Sequence, residues 1–253
     1  MRQLAASFEP RAYAPFSETP AAAVLLLSDG QYIPGVRVEN VTFPLLIPAV
    51  LNAYTTAVAL ERTDIVALVT SRPVGVFEKL VLGGFGLDLA ERDAYTLAQP
   101  GALPEPTQPV SPFLGGPKAV SVDGGLRQAD EIAHRAYVPN SDFPVGAILE
   151  TAAGAIPGVN VEHPEWLFGL CAERNALGTA RSYGITEFNQ MFLTCPKDPT
   201  GTPCGACRQV LVEHDPDLPI YIYRGDDLPP DLVRPSSLLP GAFDAAVLRG
   251  RRA

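Results

Sequence analysis

A chain of 253 residues is long enough for one large or two small domains, and 47% hydrophobic residues suffice to fill real cores. A formal net charge of −9 sets up a field that repels polyanions, which argues against binding nucleic acid by phosphate neutralisation and favours a small, weakly charged partner. No apolar run reaches the roughly 18 residues that a membrane helix needs, and Met1-Arg2-Gln3-Leu4 lacks a signal peptide's apolar stretch, so a cytoplasmic protein away from membranes is expected.

In chain order, apolar blocks come first at Ala21–Leu27, Ile47–Ala59 and Ile65–Thr70. From Pro100 to Pro117 the prolines recur with Gly101, Gly115 and Gly116, a composition that sustains neither helix nor central strand. Residues 100–118 are therefore predicted to be a stiff, extended linker between a domain at 1–99 and a second at 119–253. Beyond it the pattern predicts a short helix over Ala129–Ala136, a strand over Val145–Thr151 entered from a Ser-Asp-Phe-Pro turn, and a strand over Ile156–Val161. A helix over Cys171–Tyr183 stops at Gly184, a strand follows at Gln190–Cys195, a helix over Ala206–His214 stops at Pro216, and Pro219–Tyr223 is a last strand. This alternation predicts an α/β layered fold. Arg249, Arg251 and Arg252 read as a solvated tail, and His134, His163 and His214 as core or surface histidines without partner spacing.

The chain repeats itself. Arg11-Ala12-Tyr13, Pro15, Ser17 and Pro20 recur as Arg135-Ala136-Tyr137, Pro139, Ser141 and Pro144, each 124 positions later. Pro34-Gly35-Val36, Val38 and Glu39 recur as Pro157-Gly158-Val159, Val161 and Glu162, now 123 positions later. A domain-sized period of this kind predicts two homologous domains.

Two stretches of the second copy carry chemistry: Cys171-Ala172-Glu173-Arg174 and Pro203-Cys204-Gly205-Ala206-Cys207-Arg208. A Cys-x-x-Cys pair with a third cysteine upstream offers three ligands, the number a catalytic zinc takes when it keeps one position for water. Each segment begins a predicted helix, where the positive end of the helix dipole favours a thiolate. Three thiolates outweigh one Zn²⁺, and Arg174 and Arg208 are close enough in sequence to donate to the sulfurs and offset the excess. Glu173, two residues past a ligand, is placed to move a water proton. The competing reading is a structural zinc with Cys195 as fourth ligand, which leaves Glu173 without a task. Phe143, Asn160 and Glu162 have plain readings too, as a core aromatic, a turn residue and a solvated charge.

Cys-Ala-Glu-Arg followed by Pro-Cys-Gly-Ala-Cys-Arg-Gln resembles the zinc-dependent cytidine deaminase family. The resemblance extends over most of residues 128–243 and includes Ser141-Asp142-Phe143-Pro144, Gly158-Val159-Asn160-Val161-Glu162 and Leu238-Leu239-Pro240-Gly241-Ala242-Phe243. It implies tandem three-layer α/β/α domains around a mixed sheet. It further implies hydrolytic deamination of free cytidine or deoxycytidine by a zinc-activated water, with Glu173 as proton shuttle, in pyrimidine salvage. By that resemblance Cys171, Cys204 and Cys207 hold the zinc, Phe143 stacks on the base, Asn160 and Glu162 contact the sugar, and the Ala172 N–H meets the base carbonyl. A related deaminase of another nucleoside, base or cytosine-containing antibiotic, and a non-catalytic zinc-stabilised assembly module, are the alternatives.

The first copy departs from the second where chemistry is concerned. Aligned at the later offset, Pro48 stands where Cys171 is, Val50 where Glu173 is and Arg37 where Asn160 is, and residues 1–118 contain no cysteine. One zinc per chain is expected, held by the second domain, with the first a degenerate copy kept for assembly. The resemblance implies a homodimer, a pseudo-tetramer of domains. Fused relatives place the active half first, so the reversed order departs from them, as does Trp166 at a position where many members carry tyrosine.

Overall fold

The first half opens with helix α1 (Arg2–Ala6) and the hairpin of β1 (Ala22–Leu27) and β2 (Tyr32–Val36). Helix α2 (Ala49–Ala59), β3 (Ile65–Thr70), α3 (Val76–Gly84), β4 (Ala90–Asp93) and β5 (Thr96–Ala98) complete a five-stranded sheet of order β2-β1-β3-β5-β4. The second half runs α4 (Val122–Ala133), β6 (Gly146–Glu150), β7 (Ala155–Val159), α5 (Ala172–Ser182), β8 (Gln190–Thr194) and α6 (Gly205–His214). It ends with β9 (Ile220–Ile222), β10 (Asp231–Val233), α7 (Pro235–Leu238) and α8 (Ala246–Arg249), and its sheet has the order β10-β9-β8-β6-β7. This computed structural model describes residues 1–115 and 121–249, with the backbone alone at Val247 and Arg249. The linker's end at 116–118 and tail residues Arg251 and Arg252 lie outside the described residues.

Each half is an α/β/α sandwich because side chains alternate across a strand. Ala23, Leu25 and Leu27 of β1 pack with Val50, Ala53 and Ala57 of α2, while Ala22, Val24 and Leu26 face Ala5 and Phe8. Likewise Ala147 and Leu149 of β6 face Ala172, Ala176 and Ala180 of α5, and Ile148 faces Leu126, Ala129 and Ile132 of α4. The sheets diverge after the third element. In the second half β9 runs parallel to β8, as a mixed sheet requires, whereas β5 runs antiparallel to β3 and the first sheet's named strands all pair antiparallel.

Two glycines set the helix-to-sheet distance. A Cβ on Gly158 of β7 would stand 2.2 Å from the Ala172 carbonyl oxygen of α5, and one on Gly35 of β2 would stand 2.3 Å from the Ala49 oxygen of α2. Only glycine permits that approach. The halves then join through α2 and α5. The Thr56 and Thr179 hydroxyls, 123 positions apart, share a 2.7 Å hydrogen bond, and Asn52 Nδ2 donates to the Gly178 oxygen at 3.1 Å and to Ser182 Oγ at 3.0 Å.

The described part of the proline-rich segment, up to residue 115, runs along the edges of both halves. Tyr32 N donates to the Gln108 oxygen at 3.1 Å, Val110 N to the Tyr32 oxygen at 2.9 Å and Leu114 N to the Ala155 oxygen at 2.9 Å, so the segment borders β2 and then reaches β7. Helix α4 starts seven positions before the expected Ala129 and ends at Ala133. Ser121 caps it by accepting from Gly124 N, and Gly125 lies so close under the Phe192 ring that a Cβ would be 2.3 Å from it. The Gly124-Gly125 pair, poor in helix propensity, hid this first turn from the sequence pattern. Among the described residues no helix is long and apolar enough to cross a membrane.

Candidate active site

The three thiols converge at two helix starts. Cys171 is the N-cap of α5, Cys204 the N-cap of α6, and Cys207 lies in the first turn of α6. The Sγ atoms of Cys171 and Cys204 are 3.7 Å apart, those of Cys204 and Cys207 3.6 Å, and all three lie within 4.8 Å of one another. Neither N-cap side chain takes a capping hydrogen bond, so the unpaired N–H groups and dipoles of two helices favour negative charge here. Hydrogen bonds from Cys171 and then Cys207 push the Cys204 thiol far down, the hydrogen bond with Cys204 pushes the Cys171 thiol up, and hydrogen bonds with Cys171 and Cys204, together with burial, push the Cys207 thiol up. Ligands about 2.3 Å from one tetrahedral ion stand roughly 3.7 Å apart, so this donor set fits zinc.

Glu173 lies in the first turn of α5 at 3% exposure. Burial pushes its carboxyl up to about 7, with the Cys204 charge adding to the rise. A carboxyl held there can give or take a proton at neutral pH. A cleft of about 340 Å³ reaches Cys171 and is also lined by Ser141, Phe143, Asn160, Glu162 and Trp166 among others. Ala172, fully buried, is the first residue of α5, so its N–H has no acceptor within the helix.

Asn160 and Glu162 reach into the loop that carries Phe143. Asn160 Oδ1 accepts from Val145 N at 2.7 Å while its Nδ2 donates to the Phe143 oxygen at 2.9 Å. Glu162 Oε2 accepts from Asn140 N at 2.7 Å and from Ser141 N at 3.2 Å. Burial raises the Glu162 carboxyl, but its hydrogen bonds to Ser141 and Asn140 outweigh that and hold it below the usual range. Its Oε2 is engaged by the loop, and the residue also lines the cleft.

The two arginines donate to backbone and hydroxyl oxygens. Arg174 Nη2 donates to the Leu45 oxygen of the first half at 2.9 Å, and its buried Nε has no hydrogen-bond partner. Arg208 Nε donates to the Pro203 oxygen at 2.7 Å, Nη1 to the Leu238 oxygen at 3.2 Å and Nη2 to Thr202 Oγ1 at 2.8 Å. Arg174 thus ties α5 to the first half, Arg208 braces the segment before Cys204 and the residue Leu238, and neither makes a described hydrogen bond to a sulfur. A partly buried guanidinium needs carbonyl partners, and the loop backbones supply them. Cys195 is not among the converging thiols, and burial, reinforced by the Glu173 charge, pushes its own thiol up to about 11. The fourth-ligand reading of Cys195 therefore lacks a geometric basis.

The corresponding place in the first half holds no thiol. Pro48 is the N-cap of α2, Val50 is buried, and Arg37 Nε pairs with Glu39 Oε1 at 2.9 Å. Among the described residues the cluster in the second half is the only group of three or more Cys, His, Asp or Glu close enough to hold a metal ion. Two participants escaped the sequence reading: Ser141, whose Oγ accepts from Phe143 N at 3.1 Å, and Leu45, whose carbonyl has no signature in sequence.

Residues 123–222 match the family model described as "Cytidine and deoxycytidylate deaminase zinc-binding region". The chain is 35% identical over 128 residues to a cytidine deaminase of Sporosarcina psychrophila, across 49% of this chain and 92% of that protein. It is 38% identical over 124 residues to a cytidine deaminase of Halalkalibacterium halodurans, across 47% of this chain and 92% of that protein. A crystal structure of cytidine deaminase from Burkholderia pseudomallei shares 34% identity at a TM-score of 0.45, over 49% of this chain and 100% of that one.

Proposed function

Because the chain belongs to the cytidine deaminase family, whose members are zinc-dependent enzymes, we propose that it deaminates free cytidine or deoxycytidine hydrolytically at one site in its second half. The observation that carries this reading is the buried Glu173 beside three thiols that all lie within 4.8 Å of one another at the starts of two helices. Cys171, Cys204 and Cys207 would hold the zinc. The chemistry zinc would supply when bound is to lower the pKa of a bound water to about 7. Glu173 takes a proton from the attacking water as the water oxygen bonds to C4, and delivers that proton to N3 of the base. The carboxylate, freed of that proton, next takes the remaining proton from the new C4 hydroxyl and passes it to the departing amine, the C4–N bond breaks, and ammonia leaves as the C4 carbonyl forms.

Phe143 lies in the cleft lining as a flat apolar wall for the base. Asn160 uses one Nδ2 hydrogen on the Phe143 oxygen, which leaves the other for a sugar hydroxyl. The Ala172 N–H at the helix start meets the base carbonyl. Such an enzyme serves pyrimidine salvage in the cytoplasm. The test is direct: purified protein carrying one zinc per chain is expected to convert cytidine to uridine and ammonia, and zinc-replete, folded protein inert on cytidine and deoxycytidine would overturn the reading.

The assembly belongs to the same proposal. Phe43 and Trp166 occupy equivalent positions 123 residues apart and are 86% and 67% exposed, with Leu167 beside Trp166 at 78%. Aromatic side chains left this open, at matching places in both halves, suit a homodimer interface. Solution scattering should return twice the 26.9 kDa chain mass at micromolar concentration, and a monomer there would contradict it.

A further inference from the structure

We propose that the first half carries a second ligand site: the cavity at the start of α2, lined by Arg37 and Arg72, takes a pyrimidine nucleoside monophosphate. The inference goes beyond the deamination proposed above, and its test needs no turnover.

The cavity measures about 310 Å³, close to the 340 Å³ of the cleft in the second half and within the range of small-molecule sites. It also occupies the corresponding place. Arg37, Leu46 and Pro48 of its lining stand 123 positions before Asn160, Gly169 and Cys171, which line that cleft. The first half thus lacks the thiols and the counterpart of Glu173, yet the space they would serve is still open.

What differs is the chemistry of the wall. Where the second half has Cys171, Glu173 and Asn160, the first has Pro48, Val50 and Arg37, so groups suited to a cation give way to apolar ones and a guanidinium. Arg72, just past the end of β3, adds a second guanidinium to the same lining. Each is oriented through its Nε alone: Arg37 on Glu39 Oε1 at 2.9 Å, Arg72 on the Pro20 oxygen at 2.9 Å. No described hydrogen bond uses the Nη donors of either, which leaves two planar forks of the kind that phosphate oxygens accept from. Glu78, the one acid in the lining, has its Oε2 held by Gly75 N at 2.8 Å.

The rest of the wall is apolar. Leu46, Val50 and Phe77 face the cavity, and Phe77 is fixed edge-on against Phe168 of the second half with ring centroids 5.3 Å apart. Inorganic phosphate would leave this surface unused, and a neutral nucleoside would leave the arginine forks unused. A nucleoside monophosphate uses both. The choice of a pyrimidine rests on the size match with the cleft read above as a cytidine site.

The experiment is isothermal titration with CMP, with cytidine and inorganic phosphate as comparisons. CMP is expected to bind at one site per chain, about tenfold or more tighter than either. Arg37→Gln and Arg72→Gln should each weaken CMP about tenfold. Asn160→Ala, in the other cleft, should leave its affinity unchanged, and excess uridine should not displace it. CMP that binds no tighter than inorganic phosphate, that is indifferent to both arginines, or that uridine or Asn160→Ala removes would overturn the inference. Arg37 also pairs with Glu39, so should Arg37→Gln fail to fold, the exposed Arg72 decides by the same criteria. Wild type inert on cytidine would remove the functional reading, while CMP binding and its dependence on the two arginines would still be read, so the two failures are distinguishable.

Discussion

Cys204 is the exposed member of the thiol cluster and the one whose charge the other two stabilise, so the donor set depends on it most directly. Cys204→Ala is expected to leave two thiols, too few for a catalytic zinc site, and to reduce bound zinc from one per chain to well below one, as read by metal analysis after gel filtration. Retention of a full equivalent would mean that another group ligates. The cysteines and Glu173 were legible in the sequence because ligand spacing along a helix start is a local property. The partners of Arg174 and Arg208 were not, since a guanidinium at the end of a long side chain selects backbone carbonyls, and Leu45 comes from 129 positions away. Glu162 shows the same limit: its type and position were readable, but the loop N–H groups that occupy its Oε2 depend on how residues 138–145 fold back.

The distance between β7 and α5 decides where Cys171 and Glu173 stand. Gly158→Ala would place a Cβ 2.2 Å from the Ala172 oxygen, a contact with backbone that only a shift of the helix relieves. A loss of about 1–3 kcal/mol is expected in denaturant unfolding, together with a fall in turnover. Gly35→Ala meets the Ala49 oxygen at 2.3 Å in the first half, and there a similar loss of stability should leave zinc content and KM intact. Between the helices, Thr56→Val strands the Thr179 hydroxyl and should lower stability by about 1–3 kcal/mol, while the double variant with Thr179→Val should lose less than the sum of the two singles. Most elements carrying the site were legible: β6, β7, β8, α5 and α6 lie within a residue or two of their expected spans, because their apolar runs end at turn residues. The strands β4 and β10 and the helix α3 were not read. The β4 residues are all exposed and β10 is nearly so, and without a buried face there is no alternation to find.

The two halves form one interlocked body. Besides Thr56 and Thr179, Arg174 reaches the Leu45 oxygen, Arg135 Nη1 the Ala59 oxygen at 2.9 Å, and Glu213 accepts from Tyr13, Asn40 and Val41 at 2.9, 2.7 and 2.8 Å. His163, 1% exposed, lies 3.1 Å through its Nε2 from the Val81 oxygen of α3. With so many buried polar groups satisfied across the junction, separating the halves would strand them, and a single cooperative transition is expected in calorimetry; two resolved transitions would show independent domains. The repeat made two similar halves legible, but not their mutual packing, which rests on contacts between positions that share no local pattern. Within this body one half keeps the scaffold and the other adds the three converging thiols and Glu173. Glu173→Ala tests that division most directly, by zinc content and cytidine turnover measured on the same preparation. The expected result is one zinc per chain with kcat reduced by about 10²–10⁴, and an active variant, or one that loses its zinc with its activity, would contradict it.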